Sequence, residues 1–421
     1  MKFKQIFKLS FSLPGKVLLI LLLFLICSAE TYSNQETYLN ELNNDFVHRS
    51  DSTAQKDVYD VIEKIFKYKV RSKPDSLIKR FVAPMPAVGY AIVSGFTAVL
   101  ATNVSFYTDS VKNKFSSVLA NAFYSQYNQY WFTVNSNIFY NKRKLFFNND
   151  WRFYKYPVET YGISTTNINL SPLAIDFNYL RLYQILYREI RPDFFIGGGY
   201  HLDYHFNIST GGVTTGTVYE EMQRYDSKGD YSVSSGVSVD FLYDNRKNSR
   251  NPQGGLYAML QYRPNFIFLG SDKNWQSMHI DARYYLKFPS QSNNILAFWS
   301  YNALTLTGRP PYLDMPSIGW DDYSNSGRGY VQGRFIGRNM SYLETEYRFP
   351  LIPSGLLGGV IFGNAESFYK RYENSLNLII PGVGFGIRLK MEKHSNINIA
   401  IDYGFGIEGS HGFAFNLGEL F

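Results

Sequence analysis

The chain runs to 421 residues, 45% hydrophobic and 18% aromatic, with 35 tyrosines, 33 glycines, one cysteine and a formal net charge of +7. A lone cysteine cannot close an internal disulfide, and beyond the N-terminal leader no apolar run reaches the roughly 18 residues of a membrane helix. No Lys/Arg cluster is dense enough to make the footprint that nucleic-acid binding needs.

Residues 1–29 carry Lys2, Lys4, Lys8 and Lys16, then an unbroken apolar run from Val17 to Ile26, then the small residues Ser28 and Ala29. That is the layout of a secretory signal peptide, and the run is about half the ~20 residues that cross a bilayer. Cys27 follows the bulky Ile26, which argues against a lipoprotein site. Cleavage near Ala29 removes the cysteine and the four lysines, leaving a net charge of about +3. Residues 30–83 are polar at first; then Val58, Ile62, Ile65 and Phe66 recur at helical spacing within Lys56 to Tyr68. The expectation is a short periplasmic segment with an amphipathic helix, too small to be a domain.

From Pro84 to the end the chain breaks into segments that alternate apolar with polar residues. Met278, Ile280, Ala282, Tyr284, Leu286 and Phe288 share one face, opposite His279, Asp281, Arg283, Tyr285 and Lys287. Ile397, Ile399, Ile401, Tyr403 and Phe405 oppose Asn396, Asn398, Ala400, Asp402 and Gly404, and Val383, Phe385, Ile387, Leu389 and Met391 oppose Gly382, Gly384, Gly386, Arg388 and Lys390. One face suits lipid and the other suits water or a polar partner. Connections alternate short and long, with the longest over Gly308 to Asn339, as in outer-membrane barrels with short periplasmic turns and long outer loops. The fold class is therefore all-β: a transmembrane antiparallel β-barrel over residues 84–421 with 16 strands, five after the longest loop and eleven before it. The first two strands fall near Met85 to Ile92 and Ser94 to Phe106. The last, Gly412 to Phe421, puts Phe413, Phe415, Leu417 and Phe421 on one face, the aromatic C-terminal strand signal of an exported barrel. Glu419 interrupts that face.

Within the longest loop stand Gly327, Arg328, Gly329 and Tyr330, followed by Gly337-Arg338-Asn339 and by Leu343-Glu344-Thr345-Glu346-Tyr347-Arg348-Phe349-Pro350. With Tyr243-Asp244-Asn245-Arg246, Pro252 and Gly254 ahead of them and the Gly-rich strand Gly382 to Arg388 after, the order resembles the BamA/TamA superfamily. These are outer-membrane insertases and two-partner secretion transporters, also called bacterial surface antigen proteins. The resemblance implies that the Arg-Gly-Tyr loop folds back into the barrel and that Arg328 meets inward-facing acids on the following strands. The strand pattern agrees, since Tyr342, Glu344, Glu346 and Arg348 share one face. Where the family has Phe-x-Asp-x-Gly, this chain has Phe362-Gly363-Asn364-Ala365-Glu366. The candidate interior partners of the loop are therefore Glu344, Glu346, Asn364 and Glu366, with Glu346 the main charge partner. Residues 30–83 are too few for even one of the family's periplasmic polypeptide-transport-associated domains, so the expectation is a member that lacks them.

His201, Asp203 and His205 alternate onto one strand face at a spacing that could ligate a metal, but polar lining residues of a barrel give the same pattern, and no metal is expected. There is no Gly-x-Ser-x-Gly elbow and no phosphate-binding glycine loop. The expectation is a non-enzyme without cofactors, in the outer membrane of a Gram-negative bacterium. Its partners would be outer-membrane lipid and separate periplasmic or membrane proteins, not nucleic acid. The leading role is assembly or translocation of outer-membrane proteins, through a seam that opens or a membrane thinned beside it. The alternatives are an anchor subunit of a larger complex and, less favoured because an inward loop obstructs a pore, a passive porin.

Overall fold

The computed structural model describes residues 55–66, 80–91, 95–106, 116–140, 144–155, 157–163, 172–225, 229–246, 248, 251–321, 325–369, 379–392 and 396–421. The leader expected over residues 1–29 lies outside them, as does the polar stretch after it up to residue 54.

Seventeen strands follow in chain order: β1 (Arg80–Ala91), β2 (Gly95–Phe106), β3 (Ser116–Ser125), β4 (Tyr130–Tyr140), β5 (Leu145–Lys155), β6 (Val158–Thr160), β7 (Leu173–Arg191), β8 (Phe194–Ser209), β9 (Tyr231–Asp244), β10 (Gly255–Asn265), β11 (Trp275–Lys287), β12 (Ile295–Thr307), β13 (Asn339–Pro350), β14 (Leu357–Tyr369), β15 (Ile380–Glu392), β16 (Ile397–Phe405) and β17 (His411–Leu417). β6 is a three-residue strand that pairs only with the start of β7. The other sixteen form the barrel, each antiparallel to the next, with β5 pairing directly to β7. Five strands follow the longest loop and eleven precede it. The seam falls between β1 and β17. β1 starts at Arg80, ahead of the expected Met85, because its register with β2 runs unbroken from Arg80↔Phe106 to Ala91↔Gly95.

Alternation sets the two surfaces. Leu343, Ile361, Phe385 and Ile387 point outward and are half or more exposed, whereas Glu344, Glu346, Arg348, Arg388 and Asp402 point into the barrel and are buried. Every backbone polar group in a wall facing hydrocarbon must be paired within the sheet, and the continuous antiparallel ladder from β1 to β17 provides that along its length. Met391 breaks the expected alternation. A bulge between Lys390 and Glu392 shifts the β15–β16 register, and Met391 is buried instead of sharing the outward face of Leu389.

The long-loop end is closed. α1 (Val58–Phe66) belongs to the other end, but α2 (Thr217–Tyr225) lies in the β8–β9 loop and buries Val218 and Met222. These pack with Ile163, Leu173, Ile175, Tyr312, Met315 and Ile336, drawn from two further loops and β7. Glu221 accepts a 2.7 Å bond from the Ile163 amide, and the Thr160 and Tyr312 hydroxyls are 2.6 Å apart. At the short-turn end, α1 begins with a reciprocal cap in which Asp60 accepts from the Asp57 amide at 3.0 Å and Asp57 from the Asp60 amide at 2.9 Å. The Lys56 amide donates to the Ser354 carbonyl in the β13–β14 turn, and α1 packs against β15.

A Leu343→Arg substitution places a guanidinium on the lipid face of β13 and is expected to cost roughly 2–4 kcal/mol at mid-membrane depth. Urea unfolding in lipid vesicles measures this; an unchanged midpoint would place Leu343 away from hydrocarbon.

Candidate functional site

The loop over residues 308–338 descends into the barrel and ends against β13–β16. Gly327 and Gly329 hold φ of +78° and +105°, conformations that favour glycine, and so set the peptide of Arg328 between two sharp bends. The wall opposite is also cut away by glycine. A Cβ on Gly404 would lie 2.6 Å from the Gly329 nitrogen, one on Gly382 3.0 Å from the Arg328 carbonyl oxygen, and one on Gly406 2.3 Å from the Tyr330 ring. The Gly-rich inner faces of β15 and β16 thus form the bed on which the Arg-Gly-Tyr turn lies.

Arg328 carries the site. One of its terminal nitrogens, Nη2, bonds to both Glu344 and Glu346, and Nη1 bonds to Asp402 Oδ2 at 2.7 Å. Its guanidinium carbon stands 3.5 Å from the centre of the Phe362 ring, close enough for a cation–π contact. A planar, permanently charged fork can serve several carboxylates and a ring face together, which an ammonium cannot. Tyr330 donates to the Pro381 carbonyl at 2.5 Å and accepts from the Ile407 amide at 2.9 Å. Burial pushes its phenol above the usual range, so it remains a donor. Ser410 donates to the Gly329 carbonyl at 2.7 Å, tying the turn to the β16–β17 connection.

The cluster extends beyond Arg328. Arg348 bonds to Glu346 at 2.6 Å, and Arg388 bonds to Asp402 at 2.5 Å and to Glu419 at 2.6 Å. Three guanidiniums and four carboxylates therefore share one buried network. Asp402, Arg388 and Glu419 were not among the expected partners. Their signal was present in the alternation, which puts Asp402 and Arg388 on the polar faces of their strands.

Of the four expected partners, Glu344 and Glu346 meet the guanidinium and the other two do not. Asn364 donates through Nδ2 to the Arg328 carbonyl at 3.1 Å, so it holds the backbone and not the charge. Glu366 is buried beside Gly327 with no hydrogen bond to either carboxylate oxygen. Asp402, two strands further along, supplies the carboxylate that Asn364 lacks.

The C-terminal aromatics divide. Phe413 and Phe415 face outward and are exposed, and the Leu417 side chain lies outside the description. Phe421 is not on that face: β17 ends at Leu417, Gly418 turns the chain at φ +103°, and Phe421 lies inside the barrel against Trp299 and Tyr285, with ring centres 5.3 and 6.2 Å away. Glu419, which interrupts an outward face, is an inward residue for the same reason.

On the opposite wall, Asp203 accepts from Arg263 at 2.7 Å and from the Tyr179 and Tyr183 hydroxyls. His201 bonds to Ser238 at 2.8 Å, and His205 stacks on Tyr179 with its Nδ1 3.5 Å from Asp314. The three residues thus take different ionic or hydrogen-bonding partners, apart from Tyr179, which Asp203 and His205 share, and among the described residues no group of three or more His, Cys, Asp or Glu side chains is placed to hold a metal. Asp203 and His205 line one side of an interior cavity of about 130 Å³ under the closed end.

No family model matches the sequence, and no curated protein matches it either. Solved structures do. BamA from Haemophilus ducreyi, in a crystal structure lacking POTRA domains 1–3, superposes with a TM-score of 0.53 at 14% identity over 80% of this chain and 69% of that one. CdiB from Acinetobacter baumannii gives 0.52 at 13% identity over 82% of this chain, and CdiB from Escherichia coli gives 0.52 at 9% identity over 82%. The fold is that of the BamA and CdiB barrels. The chain spans 61% and 63% of the two CdiB chains.

Arg328→Ala leaves three buried carboxylates without their shared cation and is expected to destabilise the loop by roughly 3–5 kcal/mol. Protease cleavage within residues 308–338 and loss of heat-modifiable gel mobility report it; wild-type behaviour in both would remove Arg328 from its central place. In the same assays Gly404→Val is expected to release the loop with every charge intact, since its side chain would occupy the position of the Gly329 backbone.

Proposed function

We propose that this chain is an outer-membrane barrel that assists the insertion or translocation of other proteins and works with separate periplasmic or membrane partners. The observation that carries the reading is the obstructed interior: the Arg328 loop is held in the lumen by buried ion pairs, and three loops close the outer end. A barrel filled in this way is poorly suited to conduct solutes. The likeness of its fold to BamA and CdiB supports the reading, as does the seam, where β17 offers 7 residues beside the 12 of β1. The role requires no enzymatic chemistry and no cofactor.

One observation favours an anchor subunit as the second reading. Residues 55–66 are fixed to the rim through α1 and the Lys56–Ser354 bond, an arrangement suited to holding a neighbour in place.

Proteoliposomes containing the purified chain test both. Faster insertion of an unfolded test barrel than into empty vesicles, without leakage of small solutes, is the expected result. Solute flux without acceleration would overturn the proposal in favour of a porin. Affinity purification that recovers stoichiometric partners, combined with no acceleration, would select the anchor.

A further inference from the structure

The last four residues, Gly418–Phe421, do not continue the β17 ladder. After the Gly418 amide donates to the Asn398 carbonyl at 2.7 Å, the segment leaves the wall and is received by side chains. Each of its next three carbonyls takes one donor: Asn416 to Glu419 at 3.1 Å, Asn325 to Leu420 at 2.5 Å and Arg348 to Phe421 at 3.0 Å. Its two distinctive side chains enter different pockets. The Glu419 carboxylate takes Arg388 at 2.6 Å and Asn398 at 2.7 Å. The Phe421 ring lies among Trp299, Tyr285 and the Arg348 guanidinium, which is 5.3 Å from its centre.

Donors aimed at successive carbonyls, a cationic pocket and an aromatic pocket two residues on are how a protein reads a short peptide, with main-chain bonds giving affinity and pockets giving selectivity. The occupant is attached only at the Gly418 hinge, and the donors come from β13, β15, β16, β17 and the Arg328 loop, elements whose strand ladders do not include it. We propose that this interior slot is a peptide-recognition site, filled in cis by Gly418–Phe421, whose ligand class is a short peptide segment with a carboxylate two residues before an aromatic ring. Filled in cis, the slot links the last strand to the Arg328 loop through Asn325; vacated, it can take the matching segment of a second polypeptide. This goes beyond the assembly role proposed above and does not depend on it, because the slot is read by binding alone.

The test is fluorescence anisotropy of a labelled, amidated Gly-Glu-Leu-Phe peptide with the detergent-purified chain and with a variant shortened to end at Leu417. The shortened variant, checked for heat-modifiable mobility, is expected to bind at micromolar concentration and at least tenfold more tightly than the full chain. Amidated Gly-Gln-Leu-Phe and Gly-Glu-Leu-Ala should each bind at least tenfold more weakly to that variant. A folded variant that binds none of the peptides, or all three equally, overturns the proposal. If shortening prevents folding, full-length Phe421→Ala takes its place, and a folded Phe421→Ala chain that gains no affinity for the peptide overturns it equally.

Discussion

Glu346 is fully buried with a guanidinium on either side: Arg328 from the loop and Arg348 from its own strand. A carboxylate removed from water must be paired or it costs several kcal/mol, and this requirement organises half of the barrel. To bring Arg328 to Glu346 the loop must reach the wall, so the wall gives up its side chains at Gly382, Gly404 and Gly406. To balance the remaining acids, Arg388 must face inward beside Asp402 and Glu419, which draws the last residues of the chain inside. Local backbone freedom, strand alternation and the fate of the final segment all answer to one electrostatic condition.

The barrel was legible in the sequence because a two-residue period is local and survives any registration of the strands. The inward faces of β11, β13 and β16 follow directly from it, and so does the count of strands either side of the longest loop. The place of Arg328 was implied by the resemblance of the Gly-Arg-Gly-Tyr loop to the BamA/TamA superfamily, and alternation agreed by putting Glu344 and Glu346 on an inward face. What could not be read depends on distances between strands. Asp402 lies 74 residues from Arg328 in sequence, and nothing near either residue says that its strand, and not that of Asn364, supplies the second anion. Met391 was assigned outward because alternation cannot foresee a bulge. Phe421 was assigned to the lipid face because period two was carried through Gly418, a residue whose positive φ ends the strand.

Two parts of the barrel interior are filled by different physics. At the long-loop end an apolar cluster built on Met222, Ile175 and Tyr312 excludes water, and its cohesion is non-directional. At the inner cluster every contact is directional and charge-assisted. The interior is thus divided between an apolar lid and a buried network of ion pairs.

The wall of the barrel is not of even height. At the usual rise β7, with 19 residues, extends roughly 65 Å and β17, with 7, roughly 24 Å. Once tilted, β17 stands roughly 18 Å tall, short of the ~25 Å apolar band of such barrels. The molecule is therefore a cylinder cut obliquely, tall where β7 and β8 carry the lid and low where the chain turns inward at Gly418. Among the sixteen barrel strands, the last is the shortest.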